Sequence, residues 1–194
     1  MTHHFLHRVF QENNFSKEEL SNIVSQFRQV HFKKHDFLLR EGSIENQYWF
    51  IETGFARSYV LDWEGNDITT HFFCVGDVVI DWSSFFLRNP TREHIQALAD
   101  CTCWQIDFEK FQQLFHSIRS FREQGRSTLV GSYFALKNRS VSMIADDAKS
   151  RYLQLLQEKP EIIQHASLKH IATYLGITDT SLSRIRKELL KPST

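Results

Sequence analysis

Near one end of this 194-residue chain, Arg184 and Lys187 stand with Thr178, Asp179, Thr180 and Ser183 in the run TDTSLSRIRKELLK. A planar guanidinium can donate two parallel hydrogen bonds to O6 and N7 of a guanine, and an ammonium can neutralise a backbone phosphate. Small hydroxylated residues between them let such a surface come close to a duplex. This is the chemistry of binding. Wound at 3.6 residues per turn, Thr180, Ser183, Arg184, Lys187 and Lys191 share one side of a helix, and Leu182, Ile185 and Leu189 share the other.

That helix needs a partner to bury its apolar side, and the preceding residues supply one. Leu168, Ile171, Ala172 and Leu175 recur at i, i+3, i+4 and i+7, one face of an amphipathic helix. Ser167 is placed to cap it, because a hydroxyl accepts from an otherwise unpaired backbone N–H. Gly176 ends it, since a sharp exit requires positive φ. Thr178 caps the second helix, and Asp179 suits the positive end of its dipole. Two short helices with a glycine turn predict a helix-turn-helix; the alternative is a plain helical hairpin with a solvated basic face.

Charge agrees in sign. Residues 1–139 hold 15 Lys and Arg against 17 Asp and Glu, whereas residues 140–194 hold 8 against 6. The local excess of two positive charges is small, and alone it would not establish nucleic-acid binding. No apolar run is long enough to span a bilayer and no signal peptide is expected, so the expectation is a cytoplasmic protein without a membrane partner. Three cysteines do not suggest a disulfide framework. Cys101 and Cys103 share one face of a predicted strand and read as buried reduced thiols. His3-His4 and His31…His35 read as solvated.

Upstream, Ser16–Phe27 reads as a capped helix, with Glu19 three residues after Ser16. Short β-rich runs follow at 37–39, 48–51, 56–61, 68–74, 78–80, 95–98 and 102–106. Gly42, Gly54, Gly65 and Gly76 punctuate them at spacings of 12, 11 and 11, which predicts a barrel or roll, with a sandwich as the alternative. Asp62-Trp63-Glu64-Gly65-Asn66 reads as a hairpin tip. Asp107 caps a helix over 108–115. A long helix spans 118–140, with Ile118, Phe121, Gly125, Thr128, Ser132 and Ala135 at alternating steps of three and four. That seam serves either a second copy or the chain's own roll. One more helix covers 146–157, ended by Pro160, and Ile162-Ile163 would supply a short strand.

This order of elements carries a resemblance. The phrases Tyr48-Trp49-Phe50-Ile51-Glu52-Thr53-Gly54, Phe72-Phe73-Cys74-Val75-Gly76-Asp77 and Ile171-Ala172-Thr173-Tyr174-Leu175-Gly176-Ile177-Thr178 resemble the Crp/Fnr superfamily of bacterial transcription regulators over nearly the whole chain. The resemblance implies an α+β fold: an N-terminal β-roll (double-stranded β-helix, cyclic nucleotide-binding-like) over 1–115, a long dimerisation helix and hinge over 116–143, and a C-terminal winged-helix-like helix-turn-helix over 144–194. It implies a homodimer on double-stranded DNA, with RNA polymerase and a small-molecule effector as further partners. It assigns base reading to Asp179, Thr180 and Arg184, and phosphate contact to Thr178 and Lys187.

The effector segment departs from the family pattern. Cyclic-nucleotide-binding members carry Gly-Glu and then Arg-Ser-Ala or Arg-Thr-Ala, because the Glu accepts from ribose, the Arg pairs with the phosphate, and small residues expose backbone amides. Here Ile80-Asp81 and Arg92-Glu93-His94 stand there. Ile80 blocks close backbone approach, Glu93 opposes an anion, and Arg92 matches only with one inserted residue. Cyclic AMP is therefore not the expected effector. The candidate pocket is Ile80, Asp81, Trp82, Arg92 and Glu93, with Trp82, Phe85 and Phe86 lining a site for another molecule or filling core. No cofactor and no metal are expected. A cupin-like metal-dependent enzyme is the competing class, but the roll has no His-x-His pair; no nucleophile elbow or phosphate loop occurs either. The further alternative is a sensor that no longer binds DNA.

Overall fold

The computed structural model describes residues 4–11 and 15–190. Among these described residues, eight strands form two four-stranded antiparallel sheets. Sheet A has the order β1 (Arg28–Phe32), β8 (Cys101–Asp107), β3 (Gln47–Thr53), β6 (Val78–Val79), and sheet B the order β2 (Phe37–Leu39), β7 (His94–Ala97), β4 (Ala56–Leu61), β5 (Asp67–Phe73). Successive side chains of a strand point to opposite faces, and this sorts the apolar residues. On β3, Trp49 and Ile51 face the roll interior while Tyr48 and Phe50 face outward; on β8, Cys101 and Cys103 face inward while Trp104 and Ile106 face outward. Both inward cysteines are free and buried, as the sequence suggested. The hairpin tip falls where expected, with the Asp62 carboxylate accepting from the Glu64 and Asn66 amides.

The outer face of sheet A is covered by helices. These are α1 (His4–Gln11), α2 (Lys17–Ser25), α4 (Phe108–Ser117) and the first turns of α5 (Arg119–Ala145). Phe10, Phe27, Phe50, Phe111 and Phe121 meet there; Phe10 with Phe50 and Phe111 with Phe121 pack edge to face, an arrangement that ring quadrupoles favour. Ser16 and Glu19 close the expected capping box of α2. The first part of the α5 seam packs within the chain: Ile118 and Phe121 are buried, and a Cβ on Gly125 would come within 3.0 Å of the Phe115 ring of α4, whereas Ala135 is exposed. Further along, α5 leaves Leu129, Val130, Tyr133, Phe134, Leu136, Val141, Met143 and Ile144 exposed.

The outer face of sheet B is covered by the C-terminal helices. These are α6 (Ala148–Glu158), α7 (Ile162–His165), α8 (Leu168–Leu175) and α9 (Asp179–Leu189). Phe55, Phe72 and Leu98 of the roll join Tyr152, Leu155, Ile162, Ile171, Ala172, Leu175, Leu182 and Ile185 in a single buried cluster. Two sequence expectations are corrected. β1 was not among the predicted strands, and Ile162-Ile163 forms one helical turn where a strand was expected. Gly54 has φ +101°, and a Cβ there would lie 2.5 Å from the Asp100 carbonyl oxygen and 2.7 Å from Cys101 Cα, so only glycine allows β8 to pass so close.

Candidate nucleic-acid interface and effector pocket

The helix-turn-helix assembles from local signals. The Ser167 hydroxyl accepts from the His170 amide at 3.1 Å, and the Thr178 hydroxyl accepts from the Ser181 amide at 3.2 Å. Gly176 takes φ +67° and donates to Thr173 at 3.1 Å, and Ile177 donates to Ala172 at 3.0 Å. These bonds satisfy carbonyls that the end of α8 leaves unpaired. Ile171, Ala172, Leu175, Leu182 and Ile185 are buried. Leu168 and Leu189, expected on the buried faces, are 37 % and 38 % exposed and lie at their rims.

On the other side of α9, Thr178, Asp179, Thr180, Arg184 and Lys187 are exposed and Ser183 is half-buried. Neither Arg184 nor Lys187 has a side-chain hydrogen bond or ion pair among the described residues; Lys191, expected on the same face, lies outside them, as does His3. Eleven residues at 1.5 Å rise make α9 roughly 16 Å long, enough to lie in a major groove about 12 Å wide.

The effector candidates do not converge. Ile80 is buried in the aromatic cluster outside sheet A. Trp82 packs at that cluster's edge, stacked on Phe86 at 5.9 Å, while Phe85 is fully buried in it. Arg92 is exposed. Only Asp81 and Glu93 come near one another. Asp81 caps α3 (Trp82–Leu87), accepting from the Ser83 and Ser84 amides, and its other oxygen accepts from the Thr91 hydroxyl at 2.6 Å. Burial raises the Glu93 carboxyl above its ordinary value against hydrogen bonds from Thr70 and Ser58, and Asp81 adds to the rise. Beside Asp81, Glu45 is only 1 % exposed, and burial pushes its carboxyl up to about 8. Oε1 of Glu45 accepts from the Gln47 amide at 2.9 Å. Among the described residues no group of three or more His, Cys, Asp or Glu side chains is arranged to hold a metal ion.

One set of contacts was not legible in the sequence: a polar seam joining the roll to the helix-turn-helix. Arg57, 4 % exposed, donates to Thr69 at 3.0 Å and pairs with Asp67. Lys169 of α8 pairs with the other oxygen of Asp67 at 2.9 Å. The Thr173 hydroxyl donates to Thr69 Oγ1 and accepts from the Thr69 amide, both at 3.2 Å. Lys159 pairs with Asp77 at 2.8 Å. Arg139 of α5 donates to the Tyr174 carbonyl at 3.0 Å and lies over its ring. His170 Nε2 is 3.8 Å from Asp67, but burial, Arg57 and Lys169 depress its pKa to about 4, so it is neutral at pH 7 and this contact is not an ion pair there.

Comparison with known proteins places the architecture. Residues 29–117 match the family described as cyclic nucleotide-binding domain. FixK2 from Bradyrhizobium japonicum superposes with a TM-score of 0.73 at 17 % identity, covering 84 % of each chain. The fold is that of the Crp/Fnr regulators. A CooA mutant from Carboxydothermus hydrogenoformans gives 0.69 at 19 % identity over 97 % of this chain and 85 % of its own. A protein assigned to the crp/fnr family from Eubacterium rectale gives 0.71 at 16 %, over 93 % and 88 %. No curated protein matches the sequence. With this Crp/Fnr-type fold, the sequence expectation of a β-roll followed by a long helix and a helix-turn-helix is met. Among the described residues no helix is long and apolar enough to cross a membrane.

Proposed function

We propose that this chain is a homodimeric, sequence-specific DNA-binding transcriptional regulator of the Crp/Fnr type, acting in the cytoplasm with RNA polymerase. The observation that carries the proposal is the outer face of α9, where Arg184 and Lys187 stand exposed and unpaired on a helix fixed by the Thr178 cap and by the buried Leu182 and Ile185. A basic side chain with no intramolecular partner on a rigid helix is available to a duplex without breaking an existing bond. Residues 144–194 form the DNA-reading part, 116–143 the dimer helix, and 1–115 the sensor. The exposed apolar side of α5 supports dimerisation: Val130, Phe134, Val141 and Ile144 lie along one stripe at helical spacing, as an interhelical seam requires.

The effector site is degenerate toward cyclic nucleotides. An entering cyclic phosphate would meet two carboxylates, Asp81 and Glu93, while Arg92 is exposed and Arg139 is the weakest of the influences on Glu93. Any small-molecule effector is therefore of another class.

The test is selection of bound sequences from a random duplex pool, followed by titration of the enriched site at fixed salt. Arg184→Ala should weaken specific binding by roughly 1–3 kcal/mol and relax one base position. Lys187→Ala should weaken all sequences alike and flatten the salt dependence. No enrichment from the pool would refute the reading. Millimolar cyclic AMP should leave the melting temperature unchanged; a rise would refute the degenerate site.

A further inference from the structure

A helix-turn-helix presents more than its second helix to DNA. Its first helix crosses the phosphate backbone, and the N-terminal turn of a helix is where phosphates are held, by free amides and neighbouring cations. In this chain that turn is Ser167-Leu168-Lys169-His170. Lys169 is its cation, and it lies within electrostatic reach of Asp179 in the first turn of α9. It thus stands beside the reading helix.

Lys169 is already engaged. Its Nζ lies 2.9 Å from Asp67 Oδ1, a carboxylate of the roll's β5. Asp67 is itself fixed from behind by the buried Arg57, and Thr69–Thr173 bonds hold the same strand against the same helix. Burial alone would raise the Asp67 carboxyl, but hydrogen bonds from Lys169 and Arg57 outweigh it and keep it ionised. The Lys169 side chain is 55 % exposed and can swing away; Asp67, at 20 %, cannot easily follow.

We infer that Lys169 is a phosphate contact of the DNA-bound state and that Asp67 competes for it, so that the roll sets DNA affinity through one carboxylate. This rests on the DNA-binding reading above. A duplex phosphate approaching α8 must displace Asp67 from Lys169 and tolerate a fixed negative charge beside it. Because β5 belongs to the roll, any event that shifts β5 against α8 changes that cost, and the sensor half is thereby coupled to affinity without moving α9.

The experiment uses the full chain and the selected duplex, with affinity measured by fluorescence anisotropy between 50 and 300 mM salt. Asp67→Asn keeps an acceptor for Arg57 and should tighten binding threefold or more, with a melting curve recorded alongside. Lys169→Gln should weaken binding threefold to tenfold and reduce the slope of log K against log salt by about 0.9 for each half-site. In the double variant, Asp67→Asn should have lost its effect, because the group competed for is gone. An unchanged salt slope in Lys169→Gln would overturn the phosphate role. Unchanged or weaker binding by a folded Asp67→Asn would overturn the competition. If Asp67→Asn does not fold, the Lys169→Gln slope alone decides. If the wild-type chain binds no duplex, the DNA-binding reading fails and takes this one with it; if it binds and both variants match it, only this one fails.

Discussion

Replacing Glu45 by Gln should stabilise the protein, and by an amount that depends on pH. Glu45 is buried beside Asp81, and burial lifts its carboxyl from the usual 4.5 to about 8. The folded state therefore binds a proton between those values that the unfolded chain releases, so stability falls as pH rises from 4.5 through 8. Gln keeps the acceptor for the Gln47 amide and has no proton to lose. Each pH unit of separation is worth about 1.36 kcal/mol. With the folded group still protonated at pH 7, wild type should be about 3 kcal/mol less stable than Glu45→Gln there. The gap should be about 2 kcal/mol at pH 6 and close to zero at pH 4. Urea unfolding of both proteins across this range measures it directly, and contributions of other titrating groups cancel in the difference. A gap that does not change with pH would refute the reasoning, because a packing effect of the amide would be pH-independent.

Other outcomes follow from the same structure. Gly54→Ala should cost about 3 kcal/mol or more, since its Cβ would meet backbone atoms of Asp100 and Cys101 and the residue would be held at φ +101°; a loss under 1 kcal/mol in chemical denaturation would show that β8 can shift away. Phe134→Glu should leave the protomer folded, because the side chain is 54 % exposed within it, yet lower the melting temperature by the lost association and convert the particle seen by light scattering from twice 23.0 kDa to 23.0 kDa; an unaltered mass would move the dimer interface elsewhere. His71, depressed to about 4 by burial and then by Lys159, stays neutral in the folded state while the unfolded chain takes up a proton below 6.5. Stability should therefore drop as pH falls from 6.5 to 4, and His71→Gln should lessen the drop in calorimetry; an undiminished drop would exonerate this residue.

How much of this was legible in the sequence follows from how local each signal is. Ser167, Gly176, Thr178 and Asp179 act within a few residues of themselves, and their expected roles are the observed ones. The same holds for Ser16 with Glu19 and for Asp107 capping α4. The run Arg28–Phe32 carries no clean alternation, and it is a strand because its ladder with β8 overrides its composition. Ile162-Ile163 has the β-branched character of a strand, but Ile162 instead fills, from a helical turn, the cluster it shares with α6 and α8. A single sequence cannot say what lies across the seam of α5; its first part packs within the chain, through Ile118, Phe121 and Gly125, and Ala135 at its far end is exposed. Asp67, Thr69 and Lys169 carry no local signal, because their pairing joins positions about a hundred residues apart.

Phe55 stands just before β4 and Phe72 lies on β5, yet the apolar volume they complete belongs to the C-terminal helices. The two halves are thus not interchangeable cassettes. A chimera grafting this helix-turn-helix onto another sensor would leave Ile171, Ala172 and Leu175 without the aromatic floor they rest on. Only a host presenting equivalent rings on its outer sheet would accept the graft as a folded protein.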